Sequence, residues 1–302
     1  MEEQDRLDEN ETQPATSAAD TSVLELSFSQ IEAFTMCPQR WWLTKRGNVR
    51  RAPGEFLILG SAVHQTIEAD LRQRMANQPP LGLDALKQMF SAFLREQFAL
   101  EDPDGIIPSA RRAERERDGI AVVIAYLAEI APHIRPVAVE IPFEFAHPDD
   151  PSILFRGRMD AITFRSRTRT IVDWKIVRRA WPPGEEHRKM QAAAYLWAEA
   201  CMGWELSNQV TFITFPPDWS PEPGDSVRKV DWRPTKPSAE KRQMYAQLVR
   251  EAAAAIRAME AQGDFQARPS PRCAWCEVRG ACPAGERYLA ENNIPPQMPS
   301  IT

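Results

Sequence analysis

The chain has 302 residues, 43% apolar and 26% charged, with a formal net charge of -5. That length and apolar content suffice for one large core or two small ones. No run of about 18 apolar residues occurs, and the first residues carry acids where a leader would carry bases, so the sequence argues against a membrane span or secretion and for a cytoplasmic protein.

The charge is unevenly placed. Residues 1–20 hold seven acids against Arg6, a local charge of -6, which leaves about +1 on the rest. Polar, acidic and poor in apolar groups, residues 1–23 read as a disordered tail. The body carries basic clusters at Lys45, Arg46, Arg50 and Arg51, at Arg111, Arg112, Arg115 and Arg117, at Arg165, Arg167 and Arg169, and at Arg178 and Arg179. Each could follow a phosphate backbone, although any one is more often a solvated face.

From Leu24 onward the chain reads as ordered. Ser29 followed by Glu32 predicts a capping box, and the apolar run through Leu43 predicts a helix ending near Lys45, with Cys37 on or beside it. Helical spacing predicts further helices over residues 60–74, 83–99 and 110–130. After Pro136 the period changes to two. Residues 137–145, 153–164 and 170–176 read as three consecutive strands. A helix over 185–202, a buried strand over 210–215, a strand or edge hairpin over 227–232 and a long alanine-rich helix over 238–262 follow. This order predicts an α/β fold with a central mixed sheet flanked by helices and a helical N-terminal part.

Asp160 closes the segment G-R-M-D on one predicted strand, and Asp173-Trp174-Lys175 lies on the next. Residues two apart on a strand share a face, so Asp173 and Lys175 project together. Two carboxylates on adjacent strands can hold a hard cation such as Mg2+. A lysine beside that ion can orient or deprotonate a water, while the ion supports charge developing on a phosphate. A bare D-x-K is more often a surface hairpin with charge pairs. His64 alone would more often be a core or capping residue, Glu140 an ordinary strand carboxylate, and Gln191 and Tyr195, four apart on one helical face, a packing pair.

Taken in order, Cys37, Gly60 to His64, Glu140, Gly157 to Asp160, Asp173 to Lys175, Gln191 to Tyr195, and Cys273, Cys276 and Cys282 resemble the RecB-type branch of the PD-(D/E)XK nucleases. The resemblance implies a nuclease domain over residues 24–284, followed by a flexible tail over 285–302. It implies His64, Asp160, Asp173 and the Trp174 carbonyl as metal ligands for Mg2+ or Mn2+, and Lys175 as the catalytic lysine. Gln191 and Tyr195 would support the DNA backbone or that lysine. One departure is local: the family often places a small residue and a glycine after D-x-K, where this chain has Ile176-Val177-Arg178-Arg179.

By spacing alone, Cys37 with the C-x2-C-x5-C of Cys273, Cys276 and Cys282 leaves zinc, iron-sulfur and two disulfides open, and a cytosolic setting disfavours disulfides. The resemblance favours a 4Fe-4S cluster clasping the two ends of the domain, as in AddB nuclease domains and CRISPR-associated adaptation nucleases. Cys201 reads as a buried thiol. The expected activity is metal-dependent DNA exonuclease action at ends or on single strands, in recombination, repair or processing. The alternative is a module that selects DNA ends for a partner helicase or integrase. No G-x-x-x-x-G-K-[ST] motif is present, so ATP-driven unwinding would need another chain.

Overall fold

The computed structural model describes residues 23–47, 49, 51–215 and 230–298. The expected acidic tail over 1–23 falls almost entirely outside them. The elements in chain order are β1 (Leu24–Leu26), α1 (Phe28–Met36), α2 (Pro38–Lys45), α3 (Glu55–Met75), α4 (Leu83–Glu101) and α5 (Ser109–Ala125). Then come β2 (Arg135–His147), β3 (Asp150–Arg165), β4 (Thr168–Ile176), α6 (Glu185–Arg188), α7 (Met190–Cys201), β5 (Gln209–Phe215), β6 (Asp231–Thr235), α8 (Ala239–Gln262) and α9 (Pro283–Glu291).

Six strands form one mixed sheet. β2 and β4 pair antiparallel with β3, β1 pairs parallel with it, and β5 joins β4 in parallel and β6 antiparallel. The long β3 makes this topology work. β1 covers Ile153 to Phe155, and β4 covers Ala161 to Arg165. The β3–β4 ladder ends at Ala161↔Val172, while β4 continues beside β5 as far as Ile176↔Phe215. β4 therefore parts from β3 at Asp173, and Asp160 sits at the mouth of the split.

Alternation along the strands sends side chains to two separate cores. Phe155, Met159, Ile171 and Phe212 pack against α1, α7 and α8, while Ala161, Val172, Trp174 and Ile213 pack against α3, α4 and α5. The alternation changes phase at Glu140 on β2 and Asp160 on β3, since Val139 and Ala161 face one core and Ile141 and Met159 the other. Close approach explains two small residues. A Cβ on Gly119 would meet the Phe90 ring at 1.9 Å, so only glycine lets α4 and α5 touch there, and one on Gly157 would meet Phe143 at 2.5 Å.

Several expectations are corrected. The first helix is two: Ser27, and not Ser29, accepts the capping bond from the Gln30 amide at 3.4 Å, and the chain restarts at Pro38 after Cys37. Proline has no N–H to continue a helix but fits the first position of a new one. The helix expected from 60 begins at Glu55, and the last turn of the one expected over 110–130 widens into a π-helix at Tyr126–Ile130. The helix expected over 185–202 breaks at Lys189, whose backbone is extended. The strand expected over 227–232 is Asp231–Thr235, and residues 227–229 lie outside the described residues. The C-terminal stretch over 285–302 is not a loose tail where it is described. α9 buries Leu289, and the amide of Gln297 and the carbonyl of Met298 bond to Ala274 and Arg279.

Candidate active site

The split between β3 and β4 opens into a cleft of about 460 Å3, walled by α3 and lined by His64, Glu140, Asp160, Trp174 and Lys175 among others. α3 brings His64 to it because the opposite face of that helix, with Ile58, Leu59 and Ala62, is buried in the second core. Trp174 is fixed from behind: its indole is 3% exposed and meets Tyr126 edge-on at 6.2 Å, and Tyr126 donates to the buried Asp70 at 2.6 Å. The main chain of Trp174 is thereby held in the cleft. Its carbonyl accepts from His64 Nε2 at 2.9 Å, and its amide donates to Asp160 Oδ2 at 2.9 Å.

Glu140 reaches the site through a strained backbone. Its φ is +50°, in the left-handed region, and the β2–β3 ladder steps over it between Val139↔Ala161 and Ile141↔Met159. Such conformations in non-glycine residues concentrate at functional sites. One ligand atom from each of His64, Glu140 and Asp160 lies within 4.8 Å of the others, and among the described residues this is the group able to hold a metal ion. Imidazole and carboxylate donors, with the Trp174 carbonyl beside them, are the chemistry that Mg2+ or Mn2+ accepts. The sequence named Glu140 only as a strand glutamate. Its strained φ, which moves it into the group, leaves no mark in the local pattern.

Asp173 stands beside this group rather than in it. It is 1% exposed, and its Oδ1 accepts from Gln191 Nε2 at 2.9 Å and from the Tyr195 hydroxyl at 2.8 Å. Lys175 Nζ lies 2.7 Å from its Oδ2, with the lysine side chain about a third exposed to the cleft. Gln191 and Tyr195, expected to support the DNA backbone or the lysine, both donate to the carboxylate that pairs with Lys175, and Tyr195 is 4% exposed. A further buried pair locks α7 behind β4: Arg169 meets Glu199 at 2.9 Å, and Ser207 donates to the same carboxylate through both its amide and its hydroxyl.

Burial shapes the acidity of the site. It pushes the Asp160 carboxyl up to about 6, opposed by His64 and reinforced by Asp173. Burial also raises Glu140, against the pull of Arg158, whose Nε lies 2.5 Å from its carboxylate. For Lys175 burial works against the ammonium, but Asp173 and Asp160 outweigh it and hold the group above the ordinary lysine value. Tyr195 is pushed well above its usual range by burial and then by Asp173, so it stays a hydroxyl donor.

The basic clusters are only partly available. Arg169 is committed to Glu199, Arg112 to Asp102 at 2.7 Å, and the buried Arg115 to Glu114 and Asp118. Arg178, in the departure after D-x-K, packs its guanidinium 4.2 Å from the centre of the Phe56 ring at the rim of the cleft.

The cysteines gather elsewhere. Cys37, Cys273, Cys276 and Cys282 line one cavity of about 240 Å3, and none is in a disulfide. Among the described residues no three of their sulfurs fall within 4.8 Å of one another, so a closed metal site is not shown. Two of the sulfurs receive a backbone N–H, Arg268 to Cys37 and Ser270 to Cys273, both at 3.4 Å. The chain ends are also joined directly, through a forked Arg40–Glu277 pair at 3.0–3.1 Å and through Trp41 and Trp42 stacked on Phe265. Cys201 is half-buried against the first core.

A family profile described as the PD-(D/E)XK nuclease superfamily matches residues 25–283. Among solved structures, a protein from Eubacterium rectale described as a putative exonuclease is 13% identical, over 90% of this chain and 93% of that one, with a TM-score of 0.49. The protein SSO0001 is 14% identical over 86% of each chain, with a TM-score of 0.40. No curated protein matches this sequence. With the profile spanning most of the sequence and the D-x-K strand in place at the split of a mixed sheet, the chain belongs to the PD-(D/E)XK nuclease superfamily.

Proposed function

We propose that this protein is a divalent-metal-dependent DNA exonuclease of the RecB type, acting at DNA ends or on single strands in recombination, repair or processing. One observation carries the reading. His64, Glu140 and Asp160 converge within 4.8 Å of one another, beside the Trp174 carbonyl and the Asp173–Lys175 ion pair, in a single open cleft.

His64, Asp160, Glu140 and the Trp174 carbonyl would hold Mg2+ or Mn2+, with Asp173 adjoining. When bound, the ion would supply charge stabilisation at the phosphoryl group and a more acidic water. The chain does the rest. Lys175, kept cationic by Asp173 and Asp160, is placed to hydrogen-bond the attacking water and a non-bridging phosphate oxygen, where fixed donors contribute most. Gln191 and Tyr195 act as positioning residues, holding Asp173 so that the lysine has one orientation.

The same proposal places a 4Fe-4S cluster on Cys37, Cys273, Cys276 and Cys282. Its support is that four cysteines from two distant stretches of chain line one cavity, with Cys37 and Cys273 each met by a backbone N–H of the kind that tunes cluster thiolates. Its contribution would be to fasten the start of the domain to its end.

The exonuclease reading is tested with labelled linear and circular DNA, single- and double-stranded, incubated with Mg2+ or Mn2+. Loss of label from linear molecules with circles left intact supports it. Nicking of circles at the same rate would make the enzyme an endonuclease.

A further inference from the structure

Two glycines from the recognised motifs behave in opposite ways. Gly157 is required by packing, since a Cβ there would strike the Phe143 ring. At Gly60 a Cβ would meet nothing within 4 Å, although the residue lies inside the 21-residue helix α3. Glycine within a helix is less favourable than alanine, because it surrenders more backbone freedom on folding. Neither the helix nor its neighbours account for a bare position there.

The cleft does. Gly60 lines the same space as Asp160 and Lys175, one helical turn before His64 and on the same face. Leu57 lies one turn further back on that line and is 65% exposed, an apolar side chain at the rim of a polar cleft. Gln65, in the same wall, has a buried Oε1 with no hydrogen-bond partner among the described residues. From Leu57 to His64 is about 10 Å along the helix axis at about 1.5 Å per residue.

We propose that the Leu57–Gly60–His64 face of α3 is the track for a single nucleic-acid strand, whose sugar-phosphate backbone crosses the bare Gly60 while a base or sugar rests on Leu57. This deepens the nuclease reading and rests on it. The bared line is a single row of residues on one helix, which one sugar-phosphate backbone can follow. Gly60 is thus a specificity-determining residue, defined by the side chain it lacks.

The test combines thermal melting, Mn2+ binding by calorimetry and anisotropy titration of a fluorescein-labelled single-stranded oligonucleotide, for wild type, Gly60→Ala and Leu57→Ala. Gly60→Ala is expected to melt about 2–4 °C higher, to bind Mn2+ as before and to bind the oligonucleotide at least tenfold more weakly. Leu57→Ala is expected to lose about three- to tenfold in oligonucleotide affinity with unchanged Mn2+ binding. A lower melting temperature in Gly60→Ala would make the glycine structural, and unchanged affinity in that variant would make the track wrong. Wild type that binds no single strand would also overturn the track, even if it cuts duplex. Wild type that binds single strands without cutting any DNA would remove the nuclease reading while leaving the track to stand or fall on the two variants.

Discussion

Tyr195 donates its hydroxyl to one oxygen of Asp173 at 2.8 Å while Lys175 sits 2.7 Å from the other. A single buried carboxylate therefore connects α7 to the lysine in the cleft. Gln191 holds the same oxygen as Tyr195, so both helix residues reach the lysine only through this carboxylate.

Tyr195→Phe should lower kcat by about tenfold with little change in KM, and should cost about 1.5–3 kcal/mol of stability, since it strips a buried hydrogen bond from a charged group. Asp173→Asn should lose far more activity, by several orders of magnitude, while still binding DNA. Steady-state kinetics with chemical denaturation would check both. A Tyr195→Phe effect confined to KM would place the tyrosine at the substrate after all.

The acidity of Asp160 gives a pH dependence. Its folded value of about 6 exceeds the ordinary 3.8, so the fold favours the protonated carboxyl. Without metal, this group's contribution is fully present below about pH 4 and is lost as pH rises through 6. A cation needs the ionised form and reverses the trend. The Mn2+-induced rise in melting temperature should therefore be small at pH 5 and grow to a plateau above pH 7. A pH-independent increment would take Asp160 out of the ligand set.

His64 should distinguish the two metals, whereas Glu140 should not. Imidazole suits a transition ion better than Mg2+, so Mn2+ should support cleavage at least as well as Mg2+ in wild type, and His64→Ala should lose that advantage. Glu140→Gln should weaken both metals alike, by about ten- to a hundredfold in calorimetric affinity. Unchanged metal preference in His64→Ala would leave the histidine a purely structural role.

The cysteine cavity predicts colour. Protein purified without oxygen should be brown, absorb broadly near about 400 nm and carry about four irons per chain. Cys37→Ser should lose colour and solubility together, whereas Cys201→Ser should keep both. A colourless protein with one zinc on the four cysteines would reject the cluster and keep the clasp.

Much of this fold was legible because alternation and helical spacing report burial directly. The β2–β3–β4 run, with Asp160 opposite the D-x-K strand, followed from period two alone, and the long helix capped by Ser238 was placed to within a residue. What stayed hidden depends on distant partners. β1 is three residues long and exists only by pairing with β3. Glu140 needed its φ of +50° to turn toward the cleft, and the Asp173 grip of Gln191 and Tyr195 required knowing which face α7 presents to β4. The described part of the C-terminal stretch, through Met298, was misread because its polar sequence resembles a tail, although Leu289 is buried and Arg279 bonds to the Met298 carbonyl.

We propose that Lys175, set by Asp173 beside the His64, Glu140 and Asp160 group in the β3–β4 split, serves phosphodiester hydrolysis. Single-turnover cleavage of an end-labelled single strand, with wild type and Lys175→Ala side by side in Mn2+, in Mg2+ and in EDTA, tests it most directly. The expected result is cleavage by wild type with either metal, none in EDTA with recovery on adding metal back, and a loss of several orders of magnitude in Lys175→Ala at nearly unchanged DNA affinity. Cleavage by Lys175→Ala at close to the wild-type rate, or undiminished cleavage by wild type in EDTA, would contradict it.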